Sequence, residues 1–171
     1  MKVIGLAGWS GAGKTTLVLK LIPEFARRGV SVSTIKHAHH AFDVDTPGKD
    51  SYEHRRAGAH EVLVTSSQRF ALMRDLRGAP EPSLEEHLAR LAPVDLVIVE
   101  GFKREPIRKI EIFREANGKP FLHTNDAEII ALVSDLAQPP QALPHAHLDD
   151  AASIAELVLR FATARESVNR R

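Results

Sequence analysis

The chain has 171 residues, 43% of them hydrophobic and 26% charged, the composition of a soluble globular protein of single-domain size. A net charge of +1 leaves no basic field for bulk nucleic-acid binding, and the absence of cysteine excludes disulfides, cysteine-ligated zinc and iron–sulfur clusters. No apolar run approaches the roughly 18 residues needed to cross a bilayer, and the short apolar N-terminus runs straight into a glycine-rich loop, so a cytoplasmic protein without membrane contact is expected.

Lys2–Ala7 (KVIGLA) reads as a buried parallel strand. After the loop, Leu17, Leu21 and Phe25 recur at one-turn spacing in a helix that stops at Gly29, with Pro23 expected to kink or divide it. Val30–Lys36 is a second strand, and Pro47-Gly48 marks a turn in the polar segment that follows. Lys49–Ala57 predicts a short helix, and Glu61–Thr65 and Phe70–Arg74, separated by a polar linker, predict a hairpin. Ala79–Pro82 is a turn before a helix whose Leu84, Leu88 and Leu91 face inward. Val94–Val99 is the strongest central strand; Lys109–Phe113, Pro120–His123 and Ile129–Val133 are further strands, and Ile154, Leu157, Val158 and Phe161 mark a closing helix. Alternating strands and helices predict an α/β fold: three layers, a mostly parallel sheet, helices on both faces and an additional hairpin, in one nucleotide-binding domain over 1–163. Residues 164–171 read as a charged, frayed tail.

The pattern G-x-x-x-x-G-K-[ST] is met by Gly8, Gly13, Lys14 and Thr15, with a strand before it and a helix after it. Glycines let successive backbone N–H groups face phosphate oxygens, and the helix adds its positive end. Lys14 would bridge the terminal phosphates and the Thr15 hydroxyl would ligate Mg²⁺. An acid should stand beside the metal at the carboxyl end of a neighbouring strand. Asp95 and Glu100 compete, roughly 16 Å apart at ~3.3 Å per residue. Ligands gather outside the carboxyl ends of parallel strands, which selects Glu100, holding Mg²⁺ through a water or orienting a hydrolytic one, and leaves Asp95 a strand-entry residue.

Lys36, His37, His39 and His40, followed by Asp43 and Asp45, come after a strand expected beside the first. Three readings stand open: an anion wall with Asp43 or Asp45 helping around Mg²⁺, a transition-metal cluster, or a solvated loop.

The segment Lys36–Ala59 (KHAHHAFDVDTPGKDSYEHRRAGA) resembles the signature of the molybdopterin-guanine dinucleotide biosynthesis protein B (MobB) family. GWSGAGKTTL, VIVEGFK (Val97–Lys103) and TNDAEIIALVSD (Thr124–Asp135) are similar to that family too, and the resemblance runs to about residue 162. It implies a GTP-binding P-loop protein that assists attachment of GMP to the molybdenum cofactor, with nucleotidyl transfer left to the guanylyltransferase MobA. It also implies homodimers, weak GTP hydrolysis, and molybdopterin or molybdenum cofactor as a ligand. Carried over by residue, GTP phosphates fall on Gly11, Ala12, Gly13, Lys14, Thr15 and Thr16, within the loop that Gly8 and Ser10 begin. Lys36, His37, Asp43, Asp45, Asp50 and Glu100 match the remaining motifs, without dividing metal from pterin contacts. The usual Asn-Lys-x-Asp guanine motif is missing; Asn125-Asp126 is the nearest equivalent and Asp135 its rival, each with a turn or cap role as the alternative.

Two other functions fit the same scaffold. A small-molecule kinase would draw its phosphate-covering charges from Arg55, Arg56, Arg104 and Arg108. A metallochaperone GTPase would rely on His37, His39 and His40. For dimerisation, the hairpin residues Leu63, Val64, Phe70, Leu72 and Met73 offer an edge, or else pack in the core.

Overall fold

The computed structural model describes residues 1–38, 42–140 and 143–164, so His39, His40 and the tail beyond Ala164 lie outside the described residues. The chain divides into two compact units, Ala38–Ser83 and the remainder.

The larger unit is built on a sheet of β1 (Lys2–Ala7), β2 (Val32–Lys36), β5 (Leu96–Glu100), β6 (Lys109–Phe113), β7 (Ile129–Ser134), β8 (His145–His147) and β9 (Thr163–Ala164). The spatial order is β2-β5-β1-β6-β7-β8, parallel throughout, with β9 antiparallel to β1. β6 pairs with Gly5–Ala7, and β9 pairs with Lys2 and Val3. Ala164, assigned by sequence to the tail, is therefore the last residue of a strand.

Side chains alternate across a strand, so a continuous apolar run buries both faces. Ile4, Leu6, Leu96, Ile98, Ile110 and Ile112 face one way. They pack with Leu17, Leu21 and Phe25 of α1 (Lys14–Arg27) and with Ile154, Ala155 and Val158 of α4 (Ala151–Phe161). Val3, Val97 and Val99 face the other way, with Leu84 and Leu88 of α3 (Leu84–Arg90). The result is the expected three layers.

Two elements depart from expectation. α1 runs unbroken through Pro23. Pro23 and Leu19 are both exposed, so the carbonyl that Pro23 cannot satisfy lies on the water side, while Leu21 and Phe25 hold the other face. Pro120–His123 is no strand. The chain turns there, with Asn125 N–H donating to Leu122 O, because the Leu122 and His123 N–H groups serve a buried carboxylate instead of a neighbouring strand.

The smaller unit holds α2 (Asp50–Arg56) and the antiparallel hairpin β3 (Val62–Thr65) and β4 (Phe70–Met73), as expected. Among its described residues only Val62 is buried. Arg55 stands in for a core: its guanidinium donates to Asp43 at 2.6 Å and Asp75 at 3.2 Å, and Asp45 lies 3.7 Å from its Nε. Leu63, Phe70 and Leu72 are 59%, 75% and 56% exposed, so these three hairpin side chains are not core within this unit.

Candidate functional site

β1 ends at Ala7 and α1 begins at Lys14, and the residues between turn tightly beside β6. At Gly8 a Cβ would stand 2.6 Å from the Ile112 carbonyl oxygen, so only glycine lets the loop pass this close to its neighbour. Ala12 N–H closes the loop onto Trp9 O at 3.1 Å. α1 starts at Gly13 with no side-chain cap and no acid in its first turn, which leaves its positive end available to an anion. Thr15 and Thr16 are exposed on that turn.

Lys14 folds back over the loop, donating from Nζ to Gly8 O at 2.7 Å and Trp9 O at 3.1 Å. Burial lowers its pKa below the ordinary lysine value, and the nearby charges of Lys103 and Lys36 push the same way against the opposing pull of Glu100. Those charges converge because β5 lies between β1 and β2: Glu100 is level with Leu6 on one side and Lys36 on the other. The Glu100 carbonyl accepts the His37 N–H at 2.9 Å. The His37 ring packs on Phe102, centroids 5.1 Å apart. Gly101 is required at this junction: a Cβ there would stand 2.7 Å from His37 O, on a backbone with φ of +94°.

The structure thus brings Lys14, Lys36, His37 and Glu100 to one edge of the sheet, as the sequence predicted. Asp95 is at the other end of β5, as expected, where the Ser31 hydroxyl and N–H donate to its carboxylate at 2.6 and 2.8 Å and hold its pKa down. Asp43, Asp45 and Asp50 belong to the smaller unit. There Asp43 is held below the usual carboxylate range, chiefly by its bond from Arg55, and Asp45 Oδ1 accepts from Thr46 N–H and the Ser51 hydroxyl. Arg55, a candidate for covering phosphates, is engaged by these acids. Among the described residues no group of three or more His, Asp or Glu side chains is arranged to hold a metal ion; His39 and His40 lie outside those residues.

The two candidate guanine readers separate. Asp126 sits at the entry to β7, its Oδ2 paired with Lys109 Nζ at 3.0 Å and its Oδ1 accepting Glu128 N–H, at the end of the sheet away from the phosphate loop. Asn125 donates to its neighbour Thr124. Asp135 instead follows the carboxyl end of β7, at the loop's edge, where it accepts the Glu115 N–H at 2.9 Å. Asn125-Asp126 thus stands before the entry end of β7, and Asp135 follows its carboxyl end on the side of the phosphate loop.

Sequence reasoning missed the β6 side of the loop. Arg114 and the short 3-10 turn Glu115–Asn117 follow β6 directly. The Arg114 Nη2 lies 3.4 Å from where a Cβ on Gly13 would stand, and Asn117 Nδ2 reaches Ser10 O at 3.4 Å. Trp9 Nε1 donates to Pro120 O at 2.8 Å. Beneath this segment Glu111, fully buried, accepts Leu122 N–H at 2.6 Å and His123 N–H at 3.0 Å, with His123 Nδ1 at 2.7 Å. The signal is not local: a loop after a strand that runs parallel beside β1 begins at the same edge, and the pairing that puts β6 there is set by the tertiary fold.

The assembled groups, a glycine turn, an uncapped helix start, several cations and a single acid, can hold a phosphate-bearing ligand with a divalent cation. A family model described as MobB, molybdopterin guanine dinucleotide synthesis protein B, matches residues 3–135. The chain belongs to the MobB family. It is 44% identical over 164 residues to the molybdopterin-guanine dinucleotide biosynthesis adapter protein of Escherichia coli, covering 93% of this chain and 92% of that one. The Haemophilus influenzae adapter protein of the same description is 42% identical over 136 residues, covering 78% and 74%. The crystal structure of a molybdopterin-guanine biosynthesis protein B (mobB) superposes with a TM-score of 0.73 at 25% identity, covering 92% of this chain and 98% of that one. Bacillus subtilis MobB gives 0.72 at 23%, covering 96% and 100%, a likeness of fold. Within MobB, the fold described above is thus shared over nearly the whole length of both chains.

Proposed function

We propose that this MobB-family chain is an adapter in molybdopterin-guanine dinucleotide biosynthesis that binds GTP with Mg²⁺ and supports the guanylyltransferase MobA, which performs the nucleotidyl transfer. The observation that carries the reading is the phosphate loop with Lys14 and Glu100 converging on it, in a chain of this family. Backbone N–H groups of Gly11–Thr16 hold the phosphates and Lys14 offsets their terminal charge. Mg²⁺ supplies neutralisation of the phosphate oxygens when bound, with the Thr15 hydroxyl and Glu100 as its holders. Glu100 also orients water, which accounts for a slow GTPase and no more. Molybdopterin or molybdenum cofactor is the second ligand, met by Lys36 and His37 on the β2 side. The protein acts in the cytoplasm as a homodimer, for which the exposed Leu63, Val64, Phe70 and Leu72 offer a surface; no nucleic acid or membrane takes part.

Titration calorimetry with Mg²⁺ tests this. GTP binds and ATP does so more weakly, Lys14→Ala loses nucleotide binding while the fold persists, and Glu100→Gln retains GTP but hydrolyses it more slowly. Equal affinity for ATP would falsify the guanine assignment, and unchanged binding by Lys14→Ala would move the site elsewhere.

A further inference from the structure

The phosphate loop is flanked on both sides, because β1 has β5 along one edge and β6 along the other. The β5 side carries Glu100, and Lys14 bends over the loop with Lys36 and Lys103 as charged neighbours. The β6 side carries a cation that no motif covers. Arg114 leaves the end of β6, and its guanidinium passes Gly13 with Nη2 and Nε at 3.4 and 3.9 Å from the position a Cβ would take.

Its placement is built rather than incidental. Asp135, following β7, accepts the Glu115 N–H at 2.9 Å, which fixes the turn just after Arg114. The Asn117 side chain spans to Ser10 O and lies 3.5 Å from the Cβ position of Gly11. The turn is therefore tied at one point to the end of β7 and at another to the loop. The guanidinium itself is held loosely: Asp135 Oδ2 stands 4.0 Å from Nη1, too far for a hydrogen bond, and the Arg114 side chain is 43% exposed. It can reorient without breaking a strong bond.

We infer that Arg114 is a phosphate-contacting residue, taking the inner phosphates of a bound nucleotide from the β6 side while Lys14 and Glu100 serve the terminal phosphate and metal from the β5 side. This rests on the nucleotide reading above. Lys36 and Lys103 approach from the β5 side with Glu100, which leaves the β6 flank of a bound polyphosphate to Arg114. The planar guanidinium fork fits two non-bridging phosphate oxygens, and the geometry places that fork over the residue that opens α1. Asp135 is the positioning residue, ordering the turn through Glu115 N–H.

The test is calorimetric titration of the full chain with GTP and with GDP, each with Mg²⁺, for the unsubstituted protein, Arg114→Ala and Arg114→Lys. Urea midpoints are measured on the same samples. Arg114→Ala is expected to weaken GTP and GDP by a common factor of roughly tenfold or more, the scale of one hydrogen bond to a charged group. Arg114→Lys, which keeps the charge but loses the fork, recovers only part of it. Affinities unchanged for both nucleotides, with or without a shifted urea midpoint, overturn the inference while leaving the nucleotide site in place. A loss confined to GTP overturns the assignment to the inner phosphates. Failure of the unsubstituted protein to bind either nucleotide removes the nucleotide reading itself.

Discussion

Glu111→Gln probes how the segment beside the phosphate loop is held. Glu111 is fully buried, yet its carboxylate meets three donors: Leu122 N–H on one oxygen, His123 N–H and His123 Nδ1 on the other. Glutamine has nearly the same shape but only one acceptor oxygen. If that oxygen turns to His123, the new NH₂ group confronts Leu122 N–H across a gap of 2.6 Å; the reverse orientation confronts His123 N–H and requires the His123 ring to change tautomer and accept at Nδ1. The milder arrangement loses one hydrogen bond to a charged acceptor, about 1.5–3 kcal/mol, and strands a buried N–H, about 1–3 kcal/mol. A destabilisation of about 2.5–6 kcal/mol is expected, a large share of the ~5–15 kcal/mol typical of a folded domain. Urea unfolding read by circular dichroism should show a lowered midpoint with an unchanged slope. Leu122 and His123 amides should exchange faster in deuterium. Trp9, the single tryptophan, should report a loosened segment through its bond to Pro120 O, as a red-shifted emission. A loss below about 1 kcal/mol, on the same scale, would mean that the three contacts do not act as a buried set.

The same physical bookkeeping gives further expectations. Gly101→Ala forces a Cβ to 2.7 Å from His37 O on a backbone with φ of +94°. Overpacking and left-handed strain together cost about 2–5 kcal/mol, measured by urea unfolding, and GTP affinity falls as Glu100 and His37 shift apart; an unperturbed midpoint would refute the close approach. Burial depresses the Lys14 pKa, so the unfolded chain holds that proton more tightly than the folded one. Stability of the nucleotide-free protein therefore rises with pH through the window between the lowered value and 10.5, and Lys14→Met raises thermal stability below that window. Nucleotide affinity moves the opposite way, since phosphate contact needs the ammonium, and weakens as pH climbs through the lowered pKa. Parallel pH series of melting temperature and calorimetric affinity check both signs; slopes of the same sign would refute the account.

The segment KIEIF shows where sequence patterning misleads. Ile110 and Ile112 alternate with Lys109 and Glu111, and charged residues at alternate positions of a strand ordinarily face water. In the fold Lys109 is 5% exposed and Glu111 not at all, because residues 121–126 cover them and supply Asp126 and His123 as partners. Those partners come from a stretch whose apolar Phe121 and Leu122 suggested a strand of its own. Arg114 was overlooked for a related reason: nothing local marks a residue after β6 as close to Gly13. β8 and β9 are too short for any periodic signal.

Local interactions wrote the rest into the chain. A glycine turn between an apolar strand and an amphipathic helix needs only its own residues, so the phosphate loop and Lys14 are legible at sight. Continuous branched runs require burial on both faces, which implies a layered α/β fold, and Glu100 follows from the direction of a parallel strand. The strand order, the second cation over Gly13, the retreat of Asp126 to the far edge and the buried Glu111 with its three donors belong to the tertiary structure. Each depends on which segments distant in sequence become neighbours, and that is decided by the collective burial of both sheet faces and the need to satisfy every polar group trapped there.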